Sequence, residues 1–284
     1  MEALTMSDSY KITTKPYYLP IRDEVEVFQK AWVEKVPVLL KGPTGCGKTR
    51  FVEYMAWFLA EKVGRSRPQP NGIGALYTVS CHEDLTARDL IGRYIMKGGE
   101  AVWVDGPATV AVRCGGLLYL DEVVEARKDV AVVIHPLTDH RRVLPIDTLG
   151  EVVPAPDSFM VVASYNPGYQ SVRKNLKPST KQRFIALDFD YPPADKERAI
   201  VAAEGGIDEA TAEKLVLLAN DVRNISTIDL EEGVSTRALI HAARLIKRGM
   251  AARRAASLAI AQAISDESEE IAAVELIIGN IFQA

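Results

Sequence analysis

The feature that most constrains this chain is a glycine-rich loop. Residues 42–49 read Gly-Pro-Thr-Gly-Cys-Gly-Lys-Thr and match the pattern G-x-x-x-x-G-K-[ST]. An apolar run of strand length precedes the loop and helical periodicity follows it, which is the context that the pattern requires. Glycines here let backbone N–H groups close around a phosphate at the amino end of a helix. The sequence therefore predicts a phosphate-binding loop rather than an ordinary glycine-rich turn.

Two side chains of this loop carry chemistry of their own. Lys48 is placed to reach the β- and γ-phosphates of a nucleotide, and the Thr49 hydroxyl is placed to bind magnesium. We therefore predict ATP and Mg²⁺ as ligands. The predicted nucleotide-binding residues are Gly42, Pro43, Thr44, Gly45, Cys46, Gly47, Lys48, Thr49 and Arg50.

A pair of acids follows a second apolar run. Residues 117–122 read Leu-Leu-Tyr-Leu-Asp-Glu, which is a strand that ends in two carboxylates. We expect Asp121 to hold magnesium together with Thr49, and Glu122 to polarise the water that attacks the γ-phosphate. Two acids after a strand are often only a solvated turn, and the upstream phosphate loop favours the catalytic interpretation.

The order of apolar runs predicts an α/β fold. Runs of strand length alternate with helical stretches, which indicates a mostly parallel sheet covered by helices on both faces. Extended residues around Gly98-Gly99 and Gly150 predict two hairpin insertions, over residues 93–104 and 143–154. Beyond the last run, alanine-rich helical periodicity continues to the end. We predict a nucleotide-binding domain over residues 1–190 and a small all-helical lid domain over residues 191–284. The strand-like runs are residues 36–41, 75–80, 116–120, 159–164 and 184–189.

Composition excludes several classes of protein. The chain has 284 residues, of which 48% are hydrophobic and 25% charged, and this is typical of a globular protein. No apolar run approaches the roughly 18 residues of a membrane span, and the start lacks a basic then apolar signal segment, so we expect a cytoplasmic protein without a membrane span. The net charge of −4 argues against a general nucleic-acid binder.

Five blocks of the chain resemble the CbbQ/NirQ/NorQ family, which belongs to the MoxR branch of AAA+ proteins. They are the phosphate loop, LDEVVEAR at 120–127, HPLTDHRR at 135–142, SYNPGYQ at 164–170 and KPSTKQRF at 177–184. The resemblance covers residues 35–191 closely and the helical remainder more loosely. Within the family the chain looks most like the CbbQ type, the motor subunit of a bacterial Rubisco activase. Relatives of the NorQ type, which serve nitric oxide reductase, differ in these blocks by scattered substitutions only.

The resemblance implies roles that spacing alone does not give. Asn166 matches sensor 1, which positions the lytic water or contacts the γ-phosphate. Arg183 matches the arginine finger, which reaches the nucleotide of a neighbouring subunit, although Lys181 and Arg173 lie close enough to be alternatives. Arg237 matches sensor 2 of the helical lid. The predicted catalytic residues are then Lys48, Glu122, Asn166, Arg183 and Arg237.

The resemblance also implies partners. The family forms homo-hexameric rings, and an arginine supplied by a neighbour would leave the isolated subunit nearly inactive. An adaptor with a von Willebrand factor A domain (CbbO-like) would connect the ring to its client, which is Rubisco carrying an inhibitory sugar phosphate or, as the alternative, a nitric oxide reductase under maturation. The two hairpins resemble pore-facing insertions. They carry residues that could grip a client or simply pack the hairpins: Arg93, Tyr94, Trp103, Arg141 and Arg142.

Three other functions use the same phosphate loop. A small-molecule kinase needs neither an acid beside the magnesium-binding Asp121 nor an arginine from a neighbour, so Glu122 and Arg183 count against it. A nucleic-acid motor would have a basic channel, and the net charge of −4 counts against that function. A nucleotide-binding scaffold without turnover stays open if Glu122 does not face the γ-phosphate.

Overall fold

The computed structural model has strands and helices in the alternating order that the sequence predicts. It describes residues 10–64, 73–168, 176–225 and 232–283. The strands in these ranges are β1 (Val38–Lys41), β2 (Leu76–Ser80), β3 (Gly92–Lys97), β4 (Glu100–Asp105), β5 (Leu117–Asp121), β6 (Val143–Ile146), β7 (Glu151–Pro154), β8 (Met160–Tyr165) and β9 (Ile185–Asp188).

Helices follow most of these strands. The α-helices are α1 (Glu24–Val33), α2 (Lys48–Gly64), α3 (Ala87–Ile91), α4 (Pro107–Cys114), α5 (Lys128–Ile134), α6 (Pro178–Lys181), α7 (Ala194–Gly205), α8 (Glu209–Arg223), α9 (Thr236–Lys247), α10 (Ala252–Ala256), α11 (Gln262–Ile264) and α12 (Ser268–Ile281). Short 3₁₀ turns span Val123–Glu125, His135–Leu137 and Asp147–Leu149, and a π-helical turn, Ser257–Ala261, joins α10 to α11. Within the described ranges, no helix combines the length and the apolar character needed to cross a bilayer.

Five strands form one parallel sheet in the order β2-β5-β8-β1-β9. Alternate side chains of these strands enter two different hydrophobic clusters. One cluster joins Tyr77 and Leu118 to α4 and α5, and the other joins Leu40 and Tyr119 to α1 and α2. Both faces of the sheet are therefore covered, which explains why its strands read as continuous apolar runs. The predicted α/β P-loop core is confirmed.

Both predicted hairpins form. β3 pairs with β4 in antiparallel register, with Lys97 opposite Glu100. The two residues between them, Gly98 and Gly99, have φ values of 63° and 89°, the left-handed conformation that a tight two-residue hairpin turn requires. β6 pairs with β7 in the same antiparallel sense. The Gly-Gly pair was thus a sufficient signal for the first hairpin.

Helices α7–α12 pack around a hydrophobic cluster of their own. It includes Leu215, Leu218, Leu239, Ile260 and Ile278, each at most 1% exposed. β9 ends before residue 190 and α7 begins after it, on either side of the boundary that we predict. The helical C-terminal region that the sequence predicts is therefore present.

A buried ion pair fixes the segment that leads into α9. Glu197 on α7 is fully buried, and both of its carboxylate oxygens accept hydrogen bonds from the Arg223 guanidinium at 2.8 Å. Thr236, the first residue of α9, donates to the same carboxylate at 2.6 Å. Arg223 also donates to the carbonyl oxygen of Val234 at 2.6 and 2.8 Å. The pair therefore connects α7, α8 and the start of α9.

Replacement of Glu197 by alanine is expected to lower the free energy of unfolding of the helical region by about 3–5 kcal/mol, because a mostly buried guanidinium loses its counter-ion. Unfolding in guanidinium chloride, followed by circular dichroism, measures the change in this free energy. The matched control is Glu213→Ala, since Glu213 is 68% exposed and only loosely paired with Arg198; it should change the free energy by about 0.5 kcal/mol or less. Equal effects of the two substitutions would contradict this role for Glu197.

Candidate functional site

The phosphate loop connects β1 to α2, and its last residues form the amino end of that helix. Lys48 is only 6% exposed, and its Nζ donates to the carbonyl oxygens of Gly42 and Pro43, each at 2.8 Å. Gly45 has a φ of 69°, and a Cβ added there would lie 2.6 Å from the Cβ of Ser235. The loop therefore needs glycine at position 45 both for its backbone conformation and for its close contact with the segment before α9.

Asp121 and Thr49 are linked by one buried phenol. The Tyr119 hydroxyl donates to Asp121 Oδ1 at 2.7 Å and lies 3.4 Å from Thr49 Oγ1. The Ser164 hydroxyl, on the neighbouring strand β8, donates to the same Asp121 oxygen at 2.5 Å. Burial raises the pKa of Tyr119, so this phenol stays neutral and can donate. A carboxylate and a hydroxyl beside a phosphate loop are the donor set that Mg²⁺ takes together with nucleotide phosphates, so these residues fit the ion.

Glu122 directly follows β5, and its backbone conformation is strained. Its φ of 53° and ψ of 49° are left-handed, a region that costs a residue with a side chain about 1–3 kcal/mol. Its backbone N–H donates to Ser164 Oγ at 3.3 Å, and its carboxylate accepts from the backbone N–H of Asn166. Burial raises the pKa of Glu122, and the neighbouring Lys48 partly opposes that shift. The bend thus places a half-buried carboxylate between Lys48 and Asn166.

Replacement of Ser164 by alanine is expected to weaken the Mg²⁺-dependent part of ATP-analogue binding by about tenfold, because Asp121 and the Glu122 N–H both lose a partner. A titration of Mg²⁺ against binding of a non-hydrolysable ATP analogue measures this. Binding in excess chelator serves as the control and should be the same for the variant and the unaltered chain. The same Mg²⁺ dependence in both proteins would show that Ser164 does not position Asp121.

A cavity of about 990 Å³ extends from the phosphate loop along the helical region. Its volume lies at the upper end of the range for small-molecule sites. Its polar lining includes the loop, Asp121, Glu122 and Asn166. Apolar and aromatic side chains also line it, namely Tyr17, Tyr18, Ile21, Phe189, Tyr191 and Ile240. The cavity therefore offers polar groups for phosphates and flat rings for a base, the combination that a nucleotide requires.

Four of the five predicted catalytic residues line this cavity. They are Lys48, Glu122, Asn166 and Arg237. Most of the predicted nucleotide- and metal-binding residues line it too, namely Thr44, Gly45, Cys46, Gly47, Lys48, Thr49, Arg50 and Asp121. Gly42 and Pro43 do not, and their carbonyl groups instead hold the Lys48 ammonium. The chain thus brings distant segments to one edge of the sheet, where β1, β5 and β8 end.

Arg183 lies elsewhere. It precedes β9 at the amino end of the sheet, whereas the phosphate loop and Glu122 follow the carboxyl ends. Its Nη1 is 3.2 Å from Asp139 Oδ2, and the side chain is 31% exposed. Lys181 places its Nζ 5.4 Å from the centre of the Tyr165 ring, and Arg173, the other alternative, lies outside the described residues. Arg183 therefore does not reach the cavity of its own subunit.

The hairpin residues divide into two groups. The Arg142 guanidinium donates to the carbonyl oxygens of Lys35, Pro156 and Phe159 at 2.8–3.1 Å, so this residue packs the hairpin and is not free to grip a client. Trp103 is also held, since its Nε1 donates to Asp105 at 2.6 Å.

The second group consists of exposed side chains. Tyr94 and Met96 on β3 are 51% and 72% exposed. Arg93 is exposed too, although it contacts Asp89 at 3.3 Å. Arg141, which precedes the second hairpin, is exposed and paired with Asp139.

Several site residues escaped the sequence interpretation. Tyr17 and Tyr18 line the cavity but come from the segment before α1, which contains no motif. The sequence indicates only that this segment is extended, because Pro16 and Pro20 flank it. Ser164 and Tyr119 stand inside recognised blocks, but nothing in their spacing shows that their hydroxyls meet Asp121. Glu232, which accepts a hydrogen bond from the Asn166 amide, had no signal at all.

Solved structures share the fold of this chain, and a family model gives its class. A RuvB mutant from Thermotoga maritima matches with a TM-score of 0.53 at 14% identity, over 94% of this chain and 73% of that chain. NtrX from Brucella abortus matches with a TM-score of 0.54 at 15% identity, over 86% of this chain and 53% of that chain. These likenesses show the fold alone. The family model "AAA domain (dynein-related subfamily)" matches residues 37–184. Fold and site therefore define an AAA+ ATPase, an enzyme that hydrolyses ATP.

The relatives narrow this class to one family. NorQ from Paracoccus denitrificans is 56% identical over 254 residues, which is 89% of each chain. CbbQ from Hydrogenophilus thermoluteolus is 50% identical over 94% of this chain and 95% of its own. NirQ from Stutzerimonas stutzeri is 51% identical over 91% of this chain and 90% of its own. The family model "CbbQ/NirQ/NorQ C-terminal" matches residues 197–281. The chain belongs to the CbbQ/NirQ/NorQ family of AAA+ ATPases, as the five blocks indicated.

Proposed function

We propose that this chain is the motor subunit of a ring that uses ATP hydrolysis to remodel a client enzyme. The observation that carries the proposal is the separation of two sets of residues. Lys48, Glu122 and Asn166 share one cavity, while Arg183 lies at the opposite end of the sheet. A site divided in this way is complete only where two subunits meet.

Within the cavity, each side chain has a distinct task. Lys48 neutralises the β- and γ-phosphates, with the loop N–H groups beside it. Glu122 accepts a proton from the attacking water, and Asn166 holds that water or the γ-phosphate oxygen in line. Mg²⁺ held by Thr49 and Asp121 would offset the charge that develops on the phosphate oxygens. Arg237, exposed at the start of α9, adds a positive charge from the helical lid.

Arg183 supplies the remaining charge to the neighbouring subunit. Its Nε is buried and finds no hydrogen-bond partner among the described residues, and its pairing with Asp139 holds the guanidinium near the surface. A guanidinium on transferring phosphate stabilises the transition state by a factor of about 10³–10⁵. We infer a homo-hexameric ring in the cytoplasm, with a von Willebrand factor A adaptor (CbbO-like). We also propose residues 1–190 as the nucleotide-binding domain and 191–284 as its lid.

The client that we propose is Rubisco inhibited by a tightly bound sugar phosphate, in line with the likeness to the CbbQ type. A nitric oxide reductase under maturation is the second candidate. The observation in its favour is that identity to NorQ, at 56%, exceeds identity to CbbQ, at 50%. The ATPase cycle proposed above is the same for either client.

Purified chain, a co-expressed CbbO-like adaptor and inhibited Rubisco test this assignment. Recovery of carboxylation that requires ATP, the adaptor and an intact Lys48 supports Rubisco as the client. Active ATP hydrolysis without recovery rejects Rubisco and leaves the motor in place. The parallel assay then uses an immature nitric oxide reductase and measures its gain of activity.

Replacement of Tyr94 by alanine is expected to reduce client remodelling several-fold and to leave ATP hydrolysis within about twofold, because the exposed hairpin lies outside the nucleotide cavity. The control is Leu276→Ala, which removes a 72% exposed apolar side chain from α12. Remodelling that survives Tyr94→Ala unchanged would show that the hairpin does not grip the client through this residue.

A further inference from the structure

The carboxylate of Glu232 lies beside Asn166 and the phosphate loop, and none of the roles above uses it. The Asn166 side-chain amide donates to Glu232 Oε1. The backbone N–H of Thr44, in the phosphate loop, points to the same oxygen at 3.5 Å. One anionic oxygen therefore lies between the sensor 1 amide and the phosphate loop.

The segment that carries Glu232 is held firmly from the other side. The Tyr191 hydroxyl donates to the carbonyl oxygen of Gly233 at 3.0 Å, and Arg223 holds the carbonyl oxygen of Val234. Ser235 then lies directly against Gly45 of the loop. These contacts place the Glu232 carboxylate at a defined position between the helical region and the phosphate loop.

Two anions would compete for the same donors at this position. Asn166 is proposed to contact the γ-phosphate of ATP. The Glu232 carboxylate already takes the hydrogen bond of the Asn166 amide, and its negative charge would also lie close to the γ-phosphate. Like charges at close range repel, and the repulsion is only partly screened in a half-buried site. A diphosphate lacks the γ-phosphate and leaves the contact between Asn166 and Glu232 intact.

We propose that Glu232 sets the preference of this site between nucleoside triphosphate and diphosphate by competing with the γ-phosphate for the Asn166 amide. ATP binding displaces the carboxylate, and ADP binding does not. The displaced residue lies four positions before α9, so the exchange also reports the state of the nucleotide to the helical region. This inference rests on the proposed nucleotide site.

Binding of ADP and of a non-hydrolysable ATP analogue, each with Mg²⁺, tests the proposal by calorimetry on the full chain. Glu232→Gln removes the charge, and Glu232→Ala removes the carboxylate group altogether. Both should tighten binding of the ATP analogue, the alanine variant by about tenfold, because a nearby repulsion is removed. Binding of ADP should stay within about twofold. Glu213→Gln, which removes a distant exposed charge from α8, should change neither affinity.

The outcomes separate two kinds of failure. Absence of any nucleotide binding by the unaltered chain would reject the nucleotide site and this inference with it. Normal binding with an unchanged ratio of ATP-analogue to ADP affinity in both Glu232 variants would reject the inference alone. Equal weakening of both ligands would also reject it, since Glu232 would then only support the loop.

Discussion

Replacement of Glu122 by glutamine is expected to lower the rate of ATP hydrolysis by about 10²–10⁴-fold while ATP still binds. The amide keeps the shape and polarity of the side chain but cannot accept a proton from water. Its surroundings in the structure support this role, because the carboxylate is half-buried, faces the phosphate loop and is held by a strained backbone turn. Steady-state phosphate release measures the rate, and binding of labelled ATP measures the affinity.

The matched control is Glu26→Gln, which removes a 66% exposed carboxylate from α1. It should leave both quantities unchanged. Near-normal hydrolysis by the Glu122 variant would show that this carboxylate is not the catalytic base and that another group activates the water. Loss of ATP binding in that variant would show that Glu122 supports the loop.

Replacement of Arg183 by alanine is expected to lower hydrolysis in the assembled ring by about a thousandfold, the effect that an arginine finger has in other phosphoryl-transfer enzymes. Nucleotide affinity of the isolated subunit should stay the same, because Arg183 lies away from its own cavity. Phosphate release measured above the assembly concentration, with ring size followed by light scattering, gives the result.

Arg141→Ala is the control for this variant. Arg141 pairs with the same carboxylate, Asp139, at 2.7 Å, and the two arginines together hold the pKa of Asp139 well below its usual range. Removal of Arg141 disturbs this network but takes no charge from the proposed finger. An equal loss in both variants would assign the effect to the network around Asp139 and not to Arg183.

The sequence predicted those parts of the site that depend on local patterns. The phosphate loop and the acids after β5 are continuous motifs, and each lies at a strand end, where a parallel sheet gathers functional groups. The Gly98-Gly99 turn was predictable because few other residue pairs adopt two successive left-handed conformations. Sequence and structure agree at these positions because each depends on only a few neighbouring residues.

The remaining parts depend on contacts between distant segments. Ser164 reaches Asp121 across 43 positions and Glu232 reaches Asn166 across 66, and no periodicity encodes such a meeting. Arg142 is a further example, since its carbonyl partners come from Lys35 and from the segment before β8. An arginine in a hairpin is read from sequence as surface charge, and only the fold shows that it binds backbone carbonyl groups. The role proposed for Arg183 came from family likeness, because the nucleotide that it is proposed to contact belongs to another subunit.

The most direct test of this account mixes two inactive variants before ring assembly. Glu122→Gln subunits keep Arg183, and Arg183→Ala subunits keep Glu122. If the site is completed between subunits, an equal mixture regains hydrolysis, to roughly a quarter of the normal rate, since about one interface in four then joins an intact Glu122 to a neighbouring Arg183. A mixed ring as inactive as its two parents would contradict the account and place every catalytic group within one subunit.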